Sequence, residues 1–185
     1  PSRVVNHSSP LLPWDDPPLG IVGGVDLAHL QQLADRMVGT PLRSSDGGFP
    51  PLVIGLCGTL GVGKTRLVQD ICRAAGVDVT EVTSPTFTLV QTYRTPAGPL
   101  HHLDAYRIAD ADEFWQLGME DVWWEPGCRT LVEWADRVAE EMPAETVWVR
   151  MTVDEGGASA EPPRRLEFWC SDPMRRHWAQ RVIGL

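Results

Sequence analysis

The sequence predicts an α/β fold, a three-layer sandwich in which helices cover a mixed, mostly parallel central sheet that contains one β-hairpin. Two observations carry this prediction. Strand-like and helix-like segments alternate along most of the 185 residues, and strands joined by helices pair in parallel. In addition, an apolar run of strand length is followed at once by a glycine-rich loop and then by a helical pattern.

The composition favours one globular domain. With 185 residues and 43% hydrophobic content, the chain is long enough for one sizeable core, and we expect a single domain over residues 21–185. Residues 1–20 contain five prolines among polar residues, which predicts a flexible lead-in. No apolar run approaches the roughly 18 residues of a membrane span, and the start lacks a signal-peptide pattern. We therefore expect a cytoplasmic protein without membrane contact.

The charge balance limits the possible partners. A formal net charge of -9 argues against nucleic acid binding by this chain alone, because phosphate backbones are held by clustered lysines and arginines. A partner would have to hold any nucleic acid. The four cysteines show no Cys-x-x-Cys pairing, so we expect reduced thiols rather than a zinc site or a disulfide framework.

The elements around the loop follow from the spacing of apolar residues. Apolar side chains at three- and four-residue intervals predict a helix over residues 26–38. A polar, glycine-rich connection over residues 43–51 leads to residues 52–57, which are continuously apolar and typical of a buried central strand. After the loop, residues 66–75 have a helical pattern that ends before a glycine.

The second half continues the alternation. Residues 86–93 and 100–106 are strand-like and flank a turn with two prolines and a glycine, which predicts a β-hairpin. The later elements are predicted in chain order as a helix at 112–123, a strand at 129–134, a helical turn at 136–142, strands at 146–153 and 165–170, and a terminal helix at 173–182.

Residues 58–65 carry the strongest chemical signal. They fit the pattern Gly-x4-Gly-Lys-Thr between a predicted strand and a predicted helix, so the expected fold is P-loop NTPase-like and a chance glycine-rich turn is disfavoured. The glycines let backbone N–H groups point at phosphate oxygens. Lys64 would reach the β- and γ-phosphates, and the Thr65 hydroxyl would ligate Mg²⁺. The predicted nucleotide-binding residues of the loop are Gly58, Thr59, Leu60, Gly61, Val62, Gly63, Lys64 and Thr65.

The lysine content of the chain indicates which nucleotide it binds. Lys64 is the only lysine of the chain, whereas a GTPase reads guanine with an Asn-Lys-x-Asp motif. The chain cannot contain that motif in addition to its loop. ATP is therefore favoured by elimination.

A P-loop needs a carboxylate on a neighbouring strand to hold Mg²⁺ or its water shell. Asp104 and Glu133 each close a predicted strand, and ligands of open α/β sheets bind at the carboxyl ends of strands. Spacing alone favours two exposed strand-end carboxylates by about two to one. Their position favours the metal-side role.

Two further sets of residues, a Ser-Pro-Thr segment and a pair of histidines, each have a structural and a functional interpretation. Ser84 and Thr86 lie where other P-loop proteins place a switch that senses the γ-phosphate. Without that context, a turn that opens a strand is the favoured interpretation of the same residues. His101 and His102 have no partner at metal spacing, and we interpret them as hairpin residues.

Together these segments resemble the TsaE family, also called YjeE, of small bacterial P-loop ATPases. The resemblance extends over about residues 25–170. It rests on four motifs in matching order and spacing, namely GTLGVGKT at 58–65, SPTFTLVQTY at 84–93, HLDAYR at 102–107 and LVEW at 131–134. Any one motif is weak evidence, whereas the set is specific.

The resemblance implies a role for each matching residue. Lys64 and Thr65 would bind phosphate and Mg²⁺, Glu133 would be the second metal-side carboxylate, Asp104 would take the Walker-B-like role, Thr86 would belong to the switch, and Trp134 would pack beside the nucleotide. It also implies action with two partner subunits, TsaD and TsaB, in threonylcarbamoylation of adenosine 37 in tRNAs that read ANN codons. The partners could then hold the tRNA.

The chain departs from the family at several positions. Thr59 replaces the usual aspartate of the loop and leaves the backbone cradle intact, so we expect activity to survive. Arg165 could match a C-terminal arginine of the family. A small-molecule kinase shares the P-loop and the size, but it usually carries an arginine-bearing lid that the sequence does not suggest. A binding module whose slow hydrolysis resets a partner is the alternative from another class.

Overall fold

The computed structural model of the chain describes residues 13–78, 80, 82, 89–154 and 162–185. In these residues seven strands and five α-helices follow one another, with shorter 3₁₀ turns between them. In chain order the elements are β1 (Gly20–Val25), α1 (Leu27–Gly39), β2 (Leu52–Cys57), α2 (Lys64–Ala74), β3 (Val90–Thr95), β4 (Gly98–Asp104), α3 (Ala111–Trp115), α4 (Met119–Trp123), β5 (Arg129–Glu133), β6 (Val147–Val153), β7 (Arg164–Trp169) and α5 (Pro173–Ile183).

The strands form one mixed sheet in the order β1-β7-β6-β2-β5-β4-β3. The four central strands β6, β2, β5 and β4 run parallel. On one side β7 and β1 continue the sheet antiparallel, and on the other side β3 pairs antiparallel with β4. The mixed sheet with its hairpin is confirmed, and the parallel pairing is confined to the centre.

Strand β2 is buried along its whole length because both of its faces are covered. Leu52, Ile54 and Leu56 pack into a core shared with α1, α2 and α5. Val53 and Cys57 pack into a second core shared with α3 and α4. Since successive side chains of a strand point to opposite faces, this explains the uninterrupted apolar run. The three-layer sandwich is confirmed.

Three helices of the described part, α1, α3 and α5, begin at an aspartate that caps them. The Asp26 carboxylate accepts a hydrogen bond from the His29 backbone N–H at the start of α1. The single helix expected at 112–123 is divided into α3 and α4, because Gly118 adopts a left-handed φ of 73° that an α-helix cannot contain. Each of these helices is too short or too polar to cross a bilayer.

The N-terminal segment differs from the expectation. Residues 13–20 were expected to belong to a flexible lead-in, but Trp14 packs edge-on against Trp148 and Trp169, with ring centroids 6.2 and 6.1 Å apart. The Trp169 indole N–H donates to a backbone carbonyl of the same segment at 2.8 Å. This segment leads into β1, an edge strand that the sequence did not predict.

Candidate functional site

The glycine-rich loop joins β2 to α2 at the carboxyl edge of the parallel strands. Gly58 has a φ of 142°, and the carbonyl oxygen of Met151 on β6 lies 2.3 Å from the position that a Cβ would occupy there. Gly63 adopts φ 111° and caps α2, whose first residue is Lys64. The loop therefore presents the N-terminal end of α2, whose free N–H groups and dipole favour an anion.

Lys64 lies buried at the mouth of the loop. Its Nζ donates to the carbonyl oxygens of Gly58 and Thr59 at 2.7 and 3.0 Å and lies 3.6 Å from the centroid of the Trp134 ring. Burial lowers the pKa of Lys64 from its ordinary value, and the Glu133 carboxylate opposes that shift. The loop thus holds the only lysine of the chain within reach of its own backbone cradle.

The two predicted carboxylates meet at the ends of adjacent strands. Asp104 on β4 and Glu133 on β5 are direct register partners, as expected for parallel strands that end at the same edge. The Thr65 hydroxyl donates to Glu133 Oε2 at 2.8 Å, which connects the start of α2 to the end of β5. Asp104 accepts a hydrogen bond from the Tyr106 backbone N–H at 3.0 Å, so it also shapes the turn that follows β4.

A cavity of about 320 Å³ lies between the loop and these strand ends. Eight of the predicted site residues line it, namely Leu60, Gly61, Gly63, Lys64, Thr65, Asp104, Glu133 and Trp134. Cavities of similar volume occur elsewhere on the described surface, so size does not distinguish this one. Its combination of a phosphate-type loop, a lysine, a hydroxyl and two carboxylates does.

Trp134 and Tyr106 form an aromatic wall of this cavity, with ring centroids 4.9 Å apart. Trp134 directly follows β5 and has a φ of 56°, an uncommon backbone conformation for a bulky residue that directs the chain away from the strand. Sequence reasoning had placed Trp134 beside the nucleotide but missed Tyr106. Tyr106 lies two residues after Asp104 in the same motif, and that motif was the signal that could have identified it.

Among the described residues, Arg165 has no contact with the loop. It pairs with Glu167 at 3.3 Å on β7, whereas its neighbour Arg164 donates to the Val62 carbonyl oxygen at 3.3 Å. Adjacent residues of a strand point to opposite faces, so an error of one position in the sequence match places the wrong arginine in the site. Arg164 is the arginine that supports the loop.

The remaining predictions concern the switch and the metal. Ser84 and Thr86 lie outside the described residues, and their switch role stays a prediction. Among the residues that the structure describes, no group of three or more His, Cys, Asp or Glu side chains could hold a metal ion alone. Mg²⁺ is usually held by one or two carboxylates together with substrate phosphates and water. Hydroxyl and carboxylate oxygens are the hard ligands it prefers.

The strand, loop and helix, together with the strand-end carboxylates, define a P-loop nucleotide-binding protein. The family model described as "Threonylcarbamoyl adenosine biosynthesis protein TsaE" matches residues 26–161. The chain therefore belongs to the TsaE family, and the resemblance stated from the sequence is confirmed.

Individual relatives agree with this membership. A Rickettsia bellii protein named "tRNA threonylcarbamoyladenosine biosynthesis protein TsaE" is 35% identical over 102 residues, 55% of this chain and 69% of its own length. A Treponema pallidum protein of the same name is 37% identical over 101 residues, 55% of this chain and 73% of its own length. The crystal structure of Bacillus subtilis YdiB superimposes with a TM-score of 0.59 at 22% identity, covering 88% of this chain and 93% of YdiB. That likeness concerns the fold alone.

Proposed function

We propose that this chain binds ATP with Mg²⁺ and hydrolyses it as a subunit of the machinery that makes threonylcarbamoyladenosine in tRNA. The observation that carries the proposal is the meeting of Lys64, Thr65 and Glu133 at the start of α2. A lysine, a hydroxyl and a carboxylate in this arrangement serve to bind a polyphosphate together with a divalent cation. The TsaE family supplies the process in which this chemistry acts.

The phosphates are bound by the loop backbone and by Lys64. The N–H groups at the start of α2 point into the loop. They bind phosphate oxygens more favourably than they bind water. The Lys64 ammonium exchanges the carbonyl oxygens of Gly58 and Thr59 for phosphate oxygens. Because burial disfavours a charged ammonium, a negative phosphate stabilises Lys64 in its charged form.

Thr65, Glu133 and Asp104 would hold Mg²⁺ beside the phosphates, directly or through its water shell. When bound, the ion neutralises the charge that develops on the phosphate oxygens during hydrolysis. The aromatic wall of Trp134 and Tyr106 gives the nucleotide an apolar surface that excludes water from one side. The absence of a second lysine from the sequence excludes the usual guanine-reading motif, which favours ATP as the nucleotide.

The partners are TsaD and TsaB, which act in the cytoplasm and hold the tRNA. The net charge of -9 supports this division, because an acidic chain is repelled by the phosphate backbone of tRNA. In the described part of the chain, Arg175 gives the kinase alternative no support. Arg175 is buried on α5, where it donates to Asp172 and to the Pro51 carbonyl, and it belongs to no lid.

Two ATP turnover measurements test the proposal. The purified chain should hydrolyse ATP slowly alone and much faster with TsaD and TsaB, and equal rates would contradict the partner assignment. Lys64→Ala should lower turnover by roughly 100-fold or more, since it removes a preorganised charge at the phosphates. Arg73→Ala is the matched control, because Arg73 is a cation of the same helix that pairs with Asp35 outside the site. Retained turnover in Lys64→Ala would refute the P-loop assignment.

A further inference from the structure

His102 is fully buried on β4 and is joined to the site through Glu133. Its Nε2 lies 2.9 Å from Glu133 Oε1, and its Nδ1 has no hydrogen-bond partner in the described part of the chain. An ionised carboxylate only accepts hydrogen bonds, so Nε2 carries the proton in this contact. Nδ1 is then unprotonated and carries a lone pair without a partner. An unpaired lone pair is less costly to bury than an unpaired N–H group.

The contact with His102 completes the set of hydrogen bonds that fix Glu133. Oε1 accepts from His102, and Oε2 accepts from the Thr65 hydroxyl at 2.8 Å. With one donor on each oxygen, the carboxylate cannot rotate without breaking a hydrogen bond. Without His102, Glu133 would keep only the hydrogen bond from Thr65, and its carboxylate could rotate about that contact.

We propose that His102 is a positioning residue that orients Glu133 for the metal-bound nucleotide. The inference rests on the proposed function, and it replaces the interpretation of His102 as a plain hairpin residue. His102 and Asp104 are two positions apart on β4 and therefore share the face that carries the site. Groups that hold a metal-side carboxylate in place typically contribute ten- to a hundredfold to metal affinity or activity.

His101 provides a control on the same strand. It is also buried, but it faces the opposite side of the sheet, where its Nδ1 lies 2.9 Å from the Thr92 hydroxyl and its Nε2 lies 3.6 Å from Glu125. It has no contact with Glu133 or with the loop. A change at His101 therefore tests the loss of a buried histidine without a change at the site.

The test compares two amides of different reach. The amide nitrogen of His102→Gln can take the place of Nε2, whereas the shorter His102→Asn leaves it at the place of Nδ1. Binding of a non-hydrolysable ATP analogue is measured by calorimetry over a Mg²⁺ series and in EDTA, and melting temperatures are recorded in parallel. We expect His102→Asn to raise the Mg²⁺ concentration for half-maximal binding by about tenfold or more, with unchanged affinity in EDTA. His102→Gln and His101→Asn should resemble the unmodified chain.

The outcomes separate the inference from its basis. An unchanged Mg²⁺ requirement in His102→Asn would overturn the inference, and so would a lower melting temperature as the only effect, since that is the result of packing alone. A requirement raised equally by His102→Gln would also overturn it, because the placed N–H group would then not matter. If the unmodified chain binds the analogue equally with and without Mg²⁺, the proposed function itself fails, whatever the variants do.

Discussion

Replacement of Gly58 by alanine tests whether the loop needs glycine where it passes β6. A Cβ at this position would lie 2.3 Å from the Met151 carbonyl oxygen and 3.1 Å from a methyl carbon of Val62. The first contact involves backbone, so rotation of a side chain cannot relieve it, and the loop or β6 must shift by about 1 Å. The φ of 142° adds backbone strain of roughly 1–3 kcal/mol. We expect Gly58→Ala to lower the free energy of unfolding by roughly 3–5 kcal/mol.

Gly61→Ala in the same loop is the matched control. Gly61 also has a positive φ, of 79°, but no atom lies within 4 Å of the position of its Cβ. It should therefore lose only the roughly 1–2 kcal/mol of a left-handed conformation. Both variants are unfolded in urea and followed by tryptophan fluorescence. With a slope of about 2 kcal/mol per molar urea, a difference of about 2 kcal/mol separates the two midpoints by about 1 M.

Equal midpoints for the two variants would refute this reasoning. They would mean that the positive φ alone requires glycine and that the approach of β6 to the loop is not a tight constraint. A large effect of Gly58→Ala on stability also predicts a loss of nucleotide affinity, because the shifted loop no longer directs its N–H groups at one point.

Two further predictions follow from contacts in the described residues. Arg164→Ala should weaken ATP binding by roughly tenfold, since it removes a charged donor to the Val62 carbonyl. Arg165→Ala should leave ATP binding nearly unchanged. Both affinities are measured by calorimetry, and the reverse ranking would contradict the assignment of Arg164. Burial raises the pKa of the Cys72 thiol from 9.0 to about 12. As the pH rises above 9, the unfolded chain therefore releases this proton before the folded chain does, and the folded state loses stability between pH 9 and about pH 12. At about pH 10 the raised pKa of this thiol lowers the free energy of unfolding by about 1.4 kcal/mol. Alkaline urea midpoints should fall less in Cys72→Ala than in the unmodified chain, and an equal fall would show that Cys72 does not contribute.

Local sequence signals were sufficient for the centre of the fold. The apolar run of β2, the loop and the amphipathic α2 are adjacent in the chain, so their spacing alone predicts them. The carboxylates Asp104 and Glu133 could also be placed, because both end strands that run parallel and therefore end at one edge. Each of these predictions depends on short-range patterns that the tertiary structure does not override.

The features that were missed depend on contacts between distant segments. Strand β1 reads Gly-Ile-Val-Gly-Gly-Val, which shows no alternation, and its pairing with β7 is what makes it a strand. Trp14 packs on residues more than a hundred positions away in the chain. His102 needs the register of β4 against β5 before its link to Glu133 is visible. Sequence spacing contains none of this information.

The charges at the loop explain why the proposed site should bind ATP as a metal complex. Asp104 and Glu133 lie at the edge where the phosphates must bind, so each carboxylate repels them. Two like charges about 4 Å apart repel each other by about 4 kcal/mol at an effective dielectric constant of about 20. A lysine ammonium at the same separation would attract a phosphate by a similar amount, so one lysine would offset only one carboxylate. Thr65, Asp104 and Glu133 would hold a divalent cation here, and its charge would offset the remaining repulsion. Glu133, held by Thr65 and His102, is therefore useful to the nucleotide only when the cation accompanies it.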